Sequence, residues 1–390
     1  MYTRMLETEL DIFLVSIRMR RTRSGPGEKI ASEKLFPLIS AVALAGCAVA
    51  FAQDEGDLGI AKPRFAVLPA TVEAAASLAA GTPLPTWSGS FVYSGRTYKY
   101  NMVGTAPSTN ATTMIQAIII PIRIVIASGT TKTVFSPAHV LPNGKTVTEN
   151  TVASPLFDAT TTYVLGGVNL GATQYIDAFQ RGNFWGTGGN PDYHLLLSGP
   201  TVETQKTLSP PVTKGKTGSP FGLKVAEVDL NWFDTQVHNL LTSLNIQPNT
   251  LPIFLTYNTY LTQGGCCIGG YHSAVSNTNG TIAYAHATYV SKVGDFAQNV
   301  SALSHEIGEW ADDPLVPVQS NSPCGILEVG DPDEGEPNYG GFPYSVNGFT
   351  YTLQDLVFLP YFGAPTSTSV NGWLSFQGNP FGLTVCSNGS

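Results

Sequence analysis

Apolar and polar positions change rhythm along the chain, and the rhythm predicts where strands and helices fall. Residues 83-PLPTWSGSFVYSGRTYKYNMVG-104 read as a strand pair, preceded by a short helix at 71–80 and a linker at 79–85. The run 114-MIQAIIIPIRIVI-126 is dense in β-branched residues and suits a buried strand of a central sheet, with Pro121 marking a bulge or an edge. From about 130 to 225, short alternating stretches are divided by Gly, Asn and Pro, with no internal repeat and no chemical signal. A helix follows at 231–244, with Phe233, Val237, Leu240, Leu241 and Leu244 on one face. Next come a strand at 251–261, a loop at 263–273, a strand at 281–290 and a helix from about Asp295 to Asp312.

On that last helix Phe296, Val300, Leu303, Ile307 and Trp310 form one apolar stripe. At about 100° per residue, His305 lies opposite the stripe and Glu309 one turn further on, about 40° away. Their side chains can converge on one point away from the core, which is the geometry a helical metal site requires. Asp312, Asp313 and Pro314 end the helix.

Composition adds the compartment. Charged residues make up 12% of the 390, about half the usual share, and 40 Gly with 27 Pro imply many turns. Residues 18–23 are basic, 35–51 are apolar and 50-AFA-52 is a cleavage signal, so residues 1–52 read as a leader ending at Ala52, with Met19 a possible start. An uncleaved anchor, or a lipid on Cys47 in 44-LAGC-47, is the alternative. The expected location is periplasmic or extracellular. Removing the leader takes the net charge from −8 to −10, which argues against nucleic acid and anionic membrane surfaces as partners. It also leaves Cys266, Cys267, Cys324 and Cys386 in an oxidising compartment. Adjacent cysteines rarely bridge each other, so Cys266 and Cys267 are expected to pair separately with Cys324 and Cys386.

Charge distribution then singles out one region. Between His305 and Glu336, Glu306, Glu309, Asp312, Asp313, Glu328, Asp331, Asp333, Glu334 and Glu336 crowd into 32 residues, and no Lys or Arg follows Lys292. Carboxylates drawn together without a local cation stay solvated, take up protons or bind metal. The loop 331–336 could bind calcium, but it lacks the alternation of an EF-hand and also reads as a solvated turn.

The string 304-SHEIGEW-310 resembles the H-E-x-x-H motif of the zincin metallopeptidases, with Glu309 where the second histidine stands. The segments 304-SHEIGEWADDP-314 and 328-EVGD-331 also resemble a group of exported bacterial proteins that brings no activity with it. The zincin resemblance implies an α+β fold, a mixed β-sheet packed on a motif helix, with a strand- and loop-rich remainder. It implies a divalent metal, zinc first and manganese, iron or calcium otherwise, held by His305, Glu309 and Glu328, with Asp331 or His272 as rivals for the third position. Glu306 would be the base that activates a metal-bound water, and Tyr271, His272 and His286 the nearest groups to assist an oxyanion. The domains expected are the leader 1–52, a Pro/Ser/Thr-rich segment 53–110, and a single domain 111–390 with the metal site in 295–336.

Two functions follow. One is an exported metal-dependent hydrolase acting on peptides or proteins, and the other a non-catalytic metal-binding or recognition protein. A plain reading stands beside them, in which His305 and Glu309 only form an exposed helical face. His286 reads as structural, and His139, His194 and His238 lack context. Trp310, Tyr351, Phe358, Tyr361, Phe362 and Trp373 read as core, and neither a phosphate loop nor a G-x-S-x-G elbow is present.

Overall fold

The first ordered hairpin shows how local chemistry sets the fold. Strands β1 (Thr86–Tyr93) and β2 (Arg96–Val103) pair antiparallel, and Ser94 and Gly95 close them at φ 50° and 77°, the positive values that a two-residue hairpin turn needs. The computed structural model describes residues 64–66, 68, 84–184, 192–315, 330–331 and 341–378, which belong to one compact unit, Leu58–Ser390. The expected leader with Cys47, the helix at 71–80, Cys324, Glu328, acids 333–336 and Cys386 lie outside the described residues.

The β-branched run becomes β3 (Thr112–Ser128), the long central strand. Its odd-numbered Ile115, Ala117 and Ile119 enter one core and its even-numbered Ile120, Ile122, Ile124 and Ile126 another, so both faces of the sheet are covered. Strand β4 (Thr131–Phe135) folds back on its end. After α1 (Tyr175–Asn183), strands β5 (His194–Val202) and β6 (Lys206–Leu208) run parallel to successive parts of β3. Pro121 falls between the end of β5 pairing at Ile119 and the start of β6 pairing at Ile122, so it marks a change of neighbour in a central strand.

Strand β7 (Val225–Asp229) leads into α2 (Leu230–Ser243), where the Asp229 carboxylate caps the helix by accepting from the Trp232 N–H at 2.9 Å. Phe233, Val237 and Leu241 are buried against the sheet, and Leu240 and Leu244 border that core. The strand expected at 251–261 divides at Asn258, φ 45°, into β8 (Thr250–Tyr257) and β9 (Thr259–Thr262). β8 lies between β3 and the next main-sheet strand, whereas β9 pairs with β7 in a smaller sheet.

The loop expected at 263–273 is replaced by strands. β10 (Cys266–Ile268) pairs with β9, and β11 (Gly270–Asn277) pairs antiparallel with β12 (Gly280–Tyr289). Glycines at 264, 265, 269 and 270 hid the alternation of this stretch. The main sheet thus runs β11-β12-β8-β3-β5, with β12, β8, β3 and β5 parallel and β11 the antiparallel edge. At the β11–β12 turn, Asn279 donates to Asn245 Oδ1 and to the Ile246 carbonyl, both at 3.0 Å.

The motif helix α3 (Ser301–Asp312) packs on β11 and β12. It starts six residues later than expected. Asn299 has φ 44°, which a right-handed helix cannot continue through, and the Asp295 carboxylate is taken up by the Tyr260 hydroxyl at 2.7 Å and the Ala297 N–H at 3.0 Å. The stripe from Phe296 to Trp310 is buried, and so is the opposite face. Buried Ala283, Ala285 and Ala287 on β12 are small enough for the helix to lie close to the sheet. Helix α1 supports the far end, where Gln180 Nε2 donates to the Val103 carbonyl at 3.0 Å and the Ala311 carbonyl at 3.2 Å. A hairpin of β13 (Phe342–Val346) and β14 (Phe349–Leu353) flanks the helix.

The disulfide expectation is overturned. Cys266 is bonded to Cys267, and the peptide joining them is cis, with Cα atoms 3.1 Å apart. Neither residue is left to bridge Cys324 or Cys386. Trp310, Tyr351, Phe358, Tyr361 and Trp373 are core residues, while the Phe362 side chain is outside the described set. Among the described residues, no helix is long and apolar enough to cross a membrane.

Close packing of α3 on alanines predicts that Ala285→Leu destabilises the fold by about 1–3 kcal/mol. Urea unfolding followed by tryptophan fluorescence measures this, and an unchanged midpoint would rule out the account.

Candidate metal centre

His305 leaves α3 between Phe65 and Gln354, and its ring is fixed on three sides. Nδ1 is hydrogen-bonded to Gln354 Oε1, Phe65 stacks on the ring with centroids 3.9 Å apart, and Nε2 faces Glu309 Oε1 at 2.6 Å and Asp331 Oδ1 at 3.2 Å. The carbonyl oxygen of an amide can only accept, so Nδ1 donates to it, and Nε2 is the nitrogen that faces the carboxylates, donating to them when protonated and free to offer its lone pair to a cation when not. That is the tautomer a metal ligand needs.

His272 approaches from the edge strand in the same manner. Its Nε2 donates to the Asp313 carbonyl at 2.8 Å, which leaves Nδ1 facing Glu309 Oε2 at 3.2 Å and Glu306 Oε2 at 3.5 Å. It points toward α3 because β11 alternates: Gly270, His272 and Ala274 share one face, Tyr271 and Val275 the other. Gly270 is required at its position, since a Cβ there would lie 2.5 Å from Glu306 Oε1 and 2.9 Å from the His286 carbonyl.

Glu306 is fully buried, and neither of its carboxylate oxygens receives a hydrogen bond. Burial is the main force that raises its pKa; the neighbouring histidines oppose the rise and Glu309 adds to it. For His272, burial alone would lower the pKa, but Glu306 and Glu309 outweigh it and push it up to about 10. Burial likewise opposes protonation of His305, and Glu309 and Asp331 hold it well above the ordinary value. Protons thus stabilise the same lone pairs that a cation would take, and metal binding would release them.

Side chains behind the ligands hold them in place. Gln354, which receives His305, is fixed by its own backbone: its N–H donates to Ser304 Oγ at 2.8 Å, and its carbonyl accepts from the Tyr175 hydroxyl at 2.7 Å. Residues 64–66 run beside β10 and β11, with Arg64 and Ala66 N–H groups donating to the Cys267 and Gly270 carbonyls at 3.0 and 3.1 Å, and this puts Phe65 over the ring. Gln354, Gly270 and Phe65 were not recognised in the sequence, where nothing local ties them to the motif.

Among the described residues, two sets of His and acidic groups could hold a metal ion, His272 with Glu306 and Glu309, and His305 with Glu309 and Asp331. Both rivals for the third ligand are therefore at the site, while Glu328 lies outside the described residues. His305 and Glu309 do not form an exposed face, being 0% and 2% accessible. Tyr271 and His286 are on the opposite face of the sheet and cannot assist here. The Tyr271 hydroxyl donates to Asp234 on α2 at 2.9 Å, and His286 is a buried neutral histidine beside Thr256 Oγ1 at 3.2 Å, its pKa lowered by burial to about 3. His194 contacts Asp177, His238 contacts Asp234, and His139 stacks on Tyr257. The donor chemistry and the undonated Glu306 oxygens fit a divalent cation. No family model, curated protein or solved structure matches the chain significantly.

Replacing Gln354 with Leu removes the acceptor that orients His305, and divalent-cation affinity should fall about 10- to 100-fold. Competition with a chromogenic chelator measures it, and unchanged affinity would show that Gln354 does not orient the ligand. A pH dependence also follows. Both His272, at about 10, and Asp355, which burial raises to about 8, bind protons more tightly folded than unfolded. The His272 contribution is complete below about pH 6.5, and that of Asp355 below about pH 4; each is lost as pH rises through the folded value. Metal-free protein should therefore lose urea resistance from about pH 6.5 to pH 10, above the range in which the depressed pKa of His286 acts in the opposite sense. A flat or rising profile would contradict it.

Proposed function

We propose that the chain is an exported metal-dependent hydrolase of zincin-like architecture, acting on peptides or proteins, in which Glu306 accepts the proton of the attacking water. The observation that carries this reading is the placement of Glu306: buried, without a hydrogen-bond donor on either oxygen, and within 4.8 Å of donor atoms of His272 and Glu309. A carboxylate whose proton affinity is raised by burial is suited to general-base work near neutral pH. His305, Glu309 and Asp331 would hold the cation, which when bound polarises a carbonyl and acidifies water. Imidazole donors favour zinc, then manganese or iron, over calcium. Export rests on the leader pattern of residues 1–52.

One observation favours a second reading, a metal-binding protein without turnover. His272, His305, Glu306 and Glu309 are all at or below 2% exposure, and closed donor sets are the mark of structural metal sites. Glu306→Gln separates the two. The hydrolase reading expects this variant to keep its metal while losing at least about 100-fold in peptide hydrolysis on a mixed peptide library. Equal hydrolysis by both proteins, or none by either, would overturn the catalytic reading.

A further inference from the structure

We infer that the centre takes two divalent cations, with the Glu309 carboxylate bridging them. The inference rests on the metal-binding reading above and extends it from one cation to a pair. The donors divide into two groups that share only Glu309, and neither group contains both histidines. Glu309 uses a different oxygen toward each, Oε1 at 2.6 Å from His305 Nε2 and Oε2 at 3.2 Å from His272 Nδ1. Each histidine has its remote nitrogen bound to an oxygen acceptor, Gln354 Oε1 for His305 and the Asp313 carbonyl for His272. Two separately oriented imidazoles, each aimed at its own carboxylate oxygen, form two half-sites joined by one bridge.

The second half-site has its own unsatisfied atoms. His272 Nδ1 and both Glu306 oxygens are buried without a hydrogen-bond partner, on residues no more than 1% exposed. Charge supports the same count. Glu306, Glu309 and Asp331 carry three negative charges when ionised, and the chain has no Lys or Arg beyond Lys292 to offset them. One divalent cation leaves a net negative charge among buried groups, and a second reverses it. With both positions filled, Glu306 is a ligand and no longer a free base, so the hydrolytic role belongs to the singly loaded protein and the second cation would inhibit it.

Stoichiometry decides the matter. The full chain, stripped with a chelator, is titrated calorimetrically with Zn2+, and its metal content is measured after gel filtration. Two equivalents are expected for wild type, and one each for His272→Ala and Asp331→Asn. Loading with Mn2+ should give the electron paramagnetic resonance spectrum of an exchange-coupled pair, as expected for ions about 3.5–4 Å apart. One equivalent in wild type would overturn the pair and leave the single-metal reading standing, and none would overturn both. Two equivalents with the spectrum of isolated Mn2+ would overturn the bridge. The wild-type measurements stand even if a variant fails to fold.

Discussion

Glu306 and Glu309 lose their hydration when α3 docks on the sheet, and the surrounding structure can be understood as the response to that loss. A buried carboxylate without a partner is among the most costly groups a protein can enclose. Here imidazoles from the helix and from the edge strand face the carboxylates at 2.6–3.5 Å. The alternatives for such a cluster are uptake of protons or uptake of metal, and the two compete for the same atoms. Stability and the binding of a cation would therefore be coupled at this point of the fold.

The helix pattern was the most legible part of the chain. His305 and Glu309 could be placed on one face by spacing alone, because i and i+4 neighbours are set by helix geometry whatever the tertiary context. Strand alternation likewise identified β3 and the apolar face of α2. The inward turn of His272 was harder to see, since four nearby glycines obscure the period, and it appeared in the sequence only as a rival ligand. Gln354 and Phe65 meet His305 across 49 and 240 residues, and no local rule reaches that far. The expectation for Cys266 and Cys267 failed for another reason, because it assumed the usual trans peptide between them.

The two faces of the main sheet divide the polar chemistry cleanly. On one face, His272 and the motif helix form the candidate metal centre. On the other, Tyr271 and Tyr284 donate to Asp234 at 2.9 and 2.6 Å, beside His238. Residues adjacent in sequence thus serve unrelated networks, so a substitution at 271 and one at 272 probe different parts of the molecule.

Among the described strands β11 pairs with β12 alone, so its alignment rests on β12, on the turn that joins them and on the Ala66 N–H that meets the carbonyl of its first residue, Gly270. A slip of one residue would present Tyr271 to the helix and turn His272 to the far face, exchanging a nitrogen donor for a phenol. Asn279, tied to Asn245 and Ile246 beyond the end of α2, resists that slip from the opposite end of the hairpin. The identity of the atoms offered at the centre is thus partly determined at a remote turn that touches none of them.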